Sequence, residues 1–364
     1  MSDADPDAER PMPVPSIRIS LLSLALLTAI ILESTSVGAQ PSEQARYRAA
    51  AEYSRRNRGD AVLVMRGDRI VFEDYQNGYD RAEPHLLASG TKSFSCALAA
   101  AAIEDGMIGG WDEPAARTLG EWSRDPRKGR ITVRHLLDLS SGLDPSFRQL
   151  QGRRVRNKNL AALAVPMLGD PGERFRYGPA HYYAFGELLR RRLEPRRETV
   201  MRYLERRVLR PIGMTATIRA DAAGNPNLPG GGFATAREWA KFGRLLRDGG
   251  RWNGRQLLRA DLLRECIRPS AANPSYGLTL WLNPTRELSE SLAADRPLRR
   301  REDAPSPWTR PAGPNPNQGI YMAAGAMHQR LYVIPRENLV VVRFGRGGQG
   351  WNDAEFLDLL LGRK

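Results

Sequence analysis

Ser89 and Lys92 stand three residues apart in Ser89-Gly90-Thr91-Lys92-Ser93, at the start of an Ala-rich apolar segment that runs to Asp105. The segment reads as a helix closed by Gly106. Three residues is nearly one turn, so the hydroxyl and the amine share a face within reach of each other. A serine hydroxyl is a poor nucleophile until a base takes its proton. A lysine can be that base only when uncharged. The positive pole of the helix and partial burial both disfavour the charge and push the pKa of the amine down. The same helix end can offer the Ser89 N–H to a developing oxyanion. The spacing alone also fits a Ser N-cap followed by an ordinary surface Lys. Two features favour chemistry: Lys occurs only at 92, 128, 158, 241 and 364, and Lys92 leads into a helix that should be buried.

The elements that must hold this pair follow from the patterning. A polar helix is expected from Ser42 to Arg58. Ala61–Met65 and Ile70–Glu73 flank Arg66-Gly67-Asp68 and read as a hairpin. The middle of the chain is mainly helical: Thr132 suits an N-cap, Ala180–Leu193 and Thr199–Leu209 follow, the latter stopped by Pro211, and Thr235–Asp248 is closed by Gly249-Gly250. Strands return at Tyr276–Leu282, Gly319–Ala324, Arg330–Ile334 and Leu339–Phe344, before a closing helix, Asn352–Leu361. Strands at both ends with helices between imply one sheet built from both termini. The expected fold is α/β (α+β): an antiparallel sheet flanked by helices, with residues 40–110 and 230–364 forming the α/β part and 111–229 a mainly helical subdomain. The stretch from Asn283 to Gln318 predicts no regular structure, and loops that long are usually functional or disordered.

Hydrophobic residues make up 41% and charged residues 26% of the 364, which excludes wholesale disorder. The formal net charge is +14, carried almost entirely by Arg in runs no longer than three. Such scattering reads as a solvated surface; the competing reading is a loose association with the anionic cell envelope. Nothing points to nucleic acid. Leu21–Leu32 is a mostly apolar stretch preceded by Arg18 and followed by Val37-Gly38-Ala39. It reads as a secretory signal occupying residues 1–39, cleaved after Ala39, against an uncleaved anchor as the alternative. The acidic residues Asp3, Asp5, Asp7 and Glu9 are unusual there, and Met12 is an alternative start. Cys96 and Cys266 are the only cysteines; export permits a bridge, but Cys96 sits in an apolar helix and two separate buried thiols are expected. No pair of His or Cys has ligand spacing, so neither a metal nor a cofactor is implied. His85, His135 and His181 are expected to be structural, the last with the option of orienting Tyr177; His328 is the histidine to test first.

The surrounding segments carry a family resemblance. Ala88-Ser89-Gly90-Thr91-Lys92-Ser93-Phe94, the run from Ile131 to Leu143 ending Ser140-Ser141-Gly142-Leu143, and Pro171-Gly172-Glu173-Arg174-Phe175-Arg176-Tyr177 follow one another in order. Pro211-Ile212-Gly213-Met214 with Thr217, then Gly231–Ala236 and Trp239–Gly243, complete the set. Together they resemble the serine β-lactamase and penicillin-binding family, in its class C and esterase-like branch. The resemblance implies that Tyr177 shuttles a proton between serine, lysine and leaving group. The family's second motif is Y-x-N, but here it reads Tyr177-Gly178-Pro179, so the Asn contact is lost. The third motif, K-T-G or H-x-G, is matched by Ala323-Ala324-Gly325 without its cation; the Gly325-to-Gln329 spacing resembles the branch with aminohexanoate-oligomer hydrolases and related esterases. The resemblance gives the second oxyanion donor as the N–H of Ala326. Gly325 is expected to let a substrate approach the strand backbone, with His328 nearby, and Arg310 is the guess for a substitute cation.

The expected activity is that of a serine hydrolase forming an acyl-enzyme on a small-molecule ester, amide or peptide, exported to the periplasm or secreted. A D-Ala-D-Ala peptidase or β-lactamase is the alternative, and a catalytically idle binding protein is a third.

Overall fold

The computed structural model describes residues 41–152, 154–283, 307 and 319–363. The expected signal segment, most of the 283–318 stretch and Arg310 lie outside them. Residues Ser42–Lys364 form one unit around a six-stranded antiparallel sheet. Its strands are β1 (Gly59–Arg66), β2 (Arg69–Tyr75), β8 (Trp281–Leu282), β9 (Tyr321–Gly325), β10 (Gln329–Ile334) and β11 (Leu339–Gly345), in the order β2-β1-β11-β10-β9-β8. N- and C-terminal strands thus meet in the middle, with Leu63 opposite Val342 and Val64 opposite Val341. Both central strands are buried on both faces, as their unbroken apolar runs require. A small second sheet joins β3 (His85–Leu86), β5 (Gly232–Ala234) and β4 (Thr217–Ile218), and β6 (Arg251–Trp252) pairs with β7 (Arg255–Gln256).

Ten α-helices surround the sheets among the described residues: α1 (Glu43–Arg56), α2 (Ser93–Glu104), α3 (Val133–Leu137), α4 (Phe147–Gln151), α5 (Lys158–Ala164), α6 (Ala180–Leu193), α7 (Val200–Leu204), α8 (Ala236–Arg247), α9 (Ala260–Cys266) and α10 (Asp353–Leu361). Successive residues of β10 show the layering. Leu331 touches the bare backbone of Gly243 on α8, whereas the Tyr332 ring stacks on Phe356 of α10. Helices α1 and α10 cover one face and α8 the other. Behind α8 lies α2, with Phe94 4.7 Å from Phe242. Helix α2 is buried all round, which its Ala content allows because neighbours can approach closely. Residues 111–229 contribute α3 to α7 and the single short strand β4.

Three expectations need correction. Tyr276–Leu282 is not one strand: Gly277 N–H bonds the Leu280 carbonyl, Thr279 has φ 80°, and only Trp281–Leu282 joins the sheet. The turn is forced by close packing, since a Cβ on Gly277 would lie 2.3 Å from the Cys266 carbonyl oxygen. The helix expected over 199–209 is α only to Leu204 and widens to a π turn over Glu205–Leu209. Cys96 and Cys266 form a disulfide rather than two thiols. Their separation of 170 residues hid the fact that α2 and α9 pack side by side.

Candidate active site

The Ser89–Lys92 segment is not the start of an α-helix. Ala88–Lys92 is a 3₁₀ turn, and α2 begins only at Ser93. This tightening matters, because with about three residues per turn the side chains at i and i+3 eclipse, which sets Lys92 directly over Ser89. Ala88 holds φ 48°, a left-handed conformation costly for a residue with a Cβ and typical of functional turns. Thr91 fixes the turn: its hydroxyl donates to the Ala88 carbonyl at 2.7 Å and accepts from the Gly232 N–H at 2.9 Å. Ser93 Oγ donates to the Gly90 carbonyl at 2.7 Å. Gly90 is pressed against Trp239, whose ring a Cβ would meet at 2.7 Å.

Lys92 is 3% exposed, with its Nζ 3.0 Å from Ser89 Oγ and 2.6 Å from the Pro229 carbonyl oxygen. No carboxylate pairs with it among the described residues. Burial therefore acts unopposed and lowers its pKa to about 7. An uncharged amine has two N–H bonds and one lone pair. With one N–H given to Pro229, the lone pair is free to face the Ser89 hydroxyl.

Tyr177 completes the cluster. Lys92 Nζ lies 4.9 Å from its ring centre and 5.4 Å from that of Tyr182. The Tyr177 ring is partly exposed; burial of its hydroxyl raises the phenol pKa, and the Ser89 side chain and the charge of Arg330 pull it back. Trp281 and Phe147 stack against the ring at 6.1 and 6.4 Å between centres, and Phe175 tilts against it at 6.3 Å. Tyr182 donates to the Leu137 carbonyl and meets the Tyr276 hydroxyl at 3.1 Å. His181 is fully buried between Ser141 Oγ and the Arg176 carbonyl, each 2.8 Å away, and so ties the Ser-Gly-Leu loop to the residue preceding Tyr177.

Gly325 lies against the Ala88–Lys92 turn, but not in the way expected. A Cβ there would sit 2.1 Å from the Leu87 carbonyl oxygen and 3.1 Å from the Gly90 nitrogen. The space its missing side chain leaves is filled by the chain itself rather than kept for a substrate, and this contact is what brings β9 to Ser89. Ala326 follows at the exposed end of the strand. His328 is not part of the cluster: its Nε2 bonds the Gly348 carbonyl at 3.0 Å and its ring faces Trp351. The other histidines are structural. His85 bonds Asp60 and stacks on Phe344, and His135 closes a capping box with Thr132 at the start of α3.

The structure thus brings Lys92 to Ser89, Tyr177 to Lys92 and Gly325 to the Ser89 turn, with Ala326 next in the chain, and leaves His328 engaged elsewhere. Sequence reasoning missed the Pro229 carbonyl, Arg330 and Arg343. Arg330 stands at the head of the apolar run Leu331-Tyr332-Val333-Ile334, and Arg343 ends Leu339-Val340-Val341-Val342. Cations in buried strands must be paired, and that was the available signal.

Comparison with known proteins agrees with this architecture. The family model described as Beta-lactamase matches residues 40–355. The 6-aminohexanoate-dimer hydrolase of Paenarthrobacter ureafaciens is 28% identical over 209 residues, 52% of this chain and 52% of its own length. The chain therefore spans about half the length of that curated relative. Among solved structures, a penicillin-binding protein homolog from Caulobacter crescentus superimposes with a TM-score of 0.64 at 16% identity, over 90% of this chain and 98% of its own. A D-stereospecific amidohydrolase from Streptomyces sp. gives 0.62 at 16% identity, over 89% and 100%. The match over nearly the whole described chain establishes that this protein belongs to the β-lactamase family.

Proposed function

We propose that the protein is a serine hydrolase that forms an acyl-enzyme on a small carboxylic ester or amide. The observation that carries this reading is the buried Lys92 amine, with no carboxylate partner among the described residues, 3.0 Å from Ser89 Oγ. Ser89 Oγ attacks the substrate carbonyl while its proton passes to the neutral amine of Lys92. Tyr177 relays a proton to the leaving alcohol or amine. The N–H groups of Ser89 and Ala326 receive the oxyanion; among the described residues neither is engaged by a backbone carbonyl. Water then attacks the acyl-enzyme, and the acid departs with Ser89 restored. The similarity to a 6-aminohexanoate-dimer hydrolase supports an amide or ester rather than a β-lactam. So do Pro179 and Ala323, which stand where the resemblance calls for an amide and a cation. The Cys96–Cys266 bridge supports export to an oxidising compartment.

The test is intact-protein mass spectrometry after incubation with p-nitrophenyl acetate and with nitrocefin. An acetyl group on Ser89, turnover abolished by Ser89→Ala, and negligible nitrocefin hydrolysis are expected. An unlabelled, inactive wild type would mean a binding protein instead.

A further inference from the structure

We infer that Arg330 is a positioning residue of the reaction: its buried guanidinium, bound to the Gly325 carbonyl, aims and polarises the Ala326 N–H as an oxyanion donor. The inference rests on the acyl-enzyme reading above and adds a residue to it.

Arg330 is 5% exposed and sits in β10, opposite Ala324 of β9. Its Nε and Nη2 bond the two oxygens of Asp353 at 2.6 and 3.1 Å, which sets the plane of the guanidinium. That carboxylate is held in turn by the Tyr332 hydroxyl. The remaining arm, Nη1, donates to the Gly325 and Gln329 carbonyls, each at 3.0 Å. The first of these bonds bears on the chemistry. The Gly325 carbonyl and the Ala326 N–H belong to one planar peptide, and in a trans peptide they point in opposite directions. Drawing the oxygen inward to a cation therefore turns the N–H the other way, at the exposed end of the strand. A charge-assisted bond at the oxygen also withdraws electron density from the nitrogen and strengthens it as a donor.

A second buried guanidinium secures the rest of the same turn. Arg343 donates to the Met327 and His328 carbonyls at 3.4 and 3.0 Å and is anchored by the Asn57 carbonyl at 2.7 Å. Met327 and His328 hold φ 60° and 63°, conformations that need such support. The carbonyls of 325, 327, 328 and 329 are thus all drawn toward fixed cations. A backbone so oriented presents N–H groups on its other side, as anion-binding turns do.

The test compares the wild type with a variant carrying Arg330→Met and Asp353→Asn together, so that no lone buried carboxylate remains. The readouts are the rate constant for acylation of Ser89 by p-nitrophenyl acetate, KM, and the Kd of phenylboronic acid, whose tetrahedral adduct on serine places an oxygen in the oxyanion site. Acylation and boronate affinity are expected to fall by about 30- to 100-fold, with KM changed less than about threefold. A merely structural role would move KM and thermal stability without selecting against the boronate. Should the double variant fail to fold, Arg330→Lys retains the charge but cannot keep every bond, and a loss of about tenfold in both readouts is expected. A folded variant with wild-type acylation and boronate affinity overturns the inference while leaving the acyl-enzyme reading intact. A wild type that is never acylated on Ser89 overturns both.

Discussion

The Ser141 hydroxyl lies 2.8 Å from His181 Nδ1, and the opposite nitrogen, Nε2, lies 2.8 Å from the Arg176 carbonyl. A carbonyl can only accept, so Nε2 carries a proton. Burial, which lowers the His181 pKa to about 4, keeps the ring neutral, so Nδ1 accepts from the Ser141 hydroxyl. The ring pins the chain immediately before Tyr177.

Stability should therefore depend on pH through this residue. An unfolded His takes up a proton near pH 6.5, whereas the folded one resists until about 4. Between these values the unfolded state binds more protons, so stability falls as the pH drops through the window. The 2.5-unit gap corresponds to a loss of about 3 kcal/mol. Urea midpoints from pH 7 to 4 should show it, and His181→Gln should flatten that part of the profile.

In the proposed mechanism Lys92 is the base that sets the rate of acylation. Its pKa of about 7 means that the neutral, competent form grows as the pH rises. The rate of Ser89 acylation should climb about tenfold per pH unit below 7 and level off above it. A pH-independent rate between 5 and 8 would rule out this base.

Lys92→Met should remove acylation without loss of stability. Keeping the amine neutral at pH 7 costs the fold up to about 4 kcal/mol, which the substitution relieves. The orphaned Pro229 carbonyl returns about 1–3 kcal/mol of that. A melting temperature equal to or above the wild type is expected beside a loss of more than about 10³-fold in acylation rate.

Tyr177→Phe keeps the ring that packs on Phe147, Phe175 and Trp281 and removes only the hydroxyl. Acylation should fall by about 10²- to 10⁴-fold with an unchanged melting temperature. A variant retaining more than half the activity would remove Tyr177 from the mechanism.

The disulfide ties α2, which follows the nucleophile turn, to α9, which abuts the segment leading to Trp281. Replacing both cysteines by Ala should lower unfolding stability by about 2–5 kcal/mol in urea titrations. Activity at 25 °C should persist, because Thr91, Gly232 and Trp239 still hold the turn.

The sequence by itself determined the sheet built from both termini, the chain order of the motifs, and the pairing of Ser89 with Lys92. The sheet and the pair follow from apolar periodicity and short spacing, which are local, and the order of the motifs from the family resemblance. Even so, the eclipsed geometry comes from a 3₁₀ turn held by Thr91 and Gly232, 141 residues apart, which no local pattern announces. Tertiary structure alone decided that Cys96 meets Cys266, that Leu87 fills the gap at Gly325, and that His328 turns to Gly348. It alone also set the Pro229 carbonyl on Lys92 and two buried guanidiniums behind the Gly325–His328 turn. Each joins segments distant in the chain, and a residue's burial, and with it the charge it can carry, is set by what the rest of the fold packs around it.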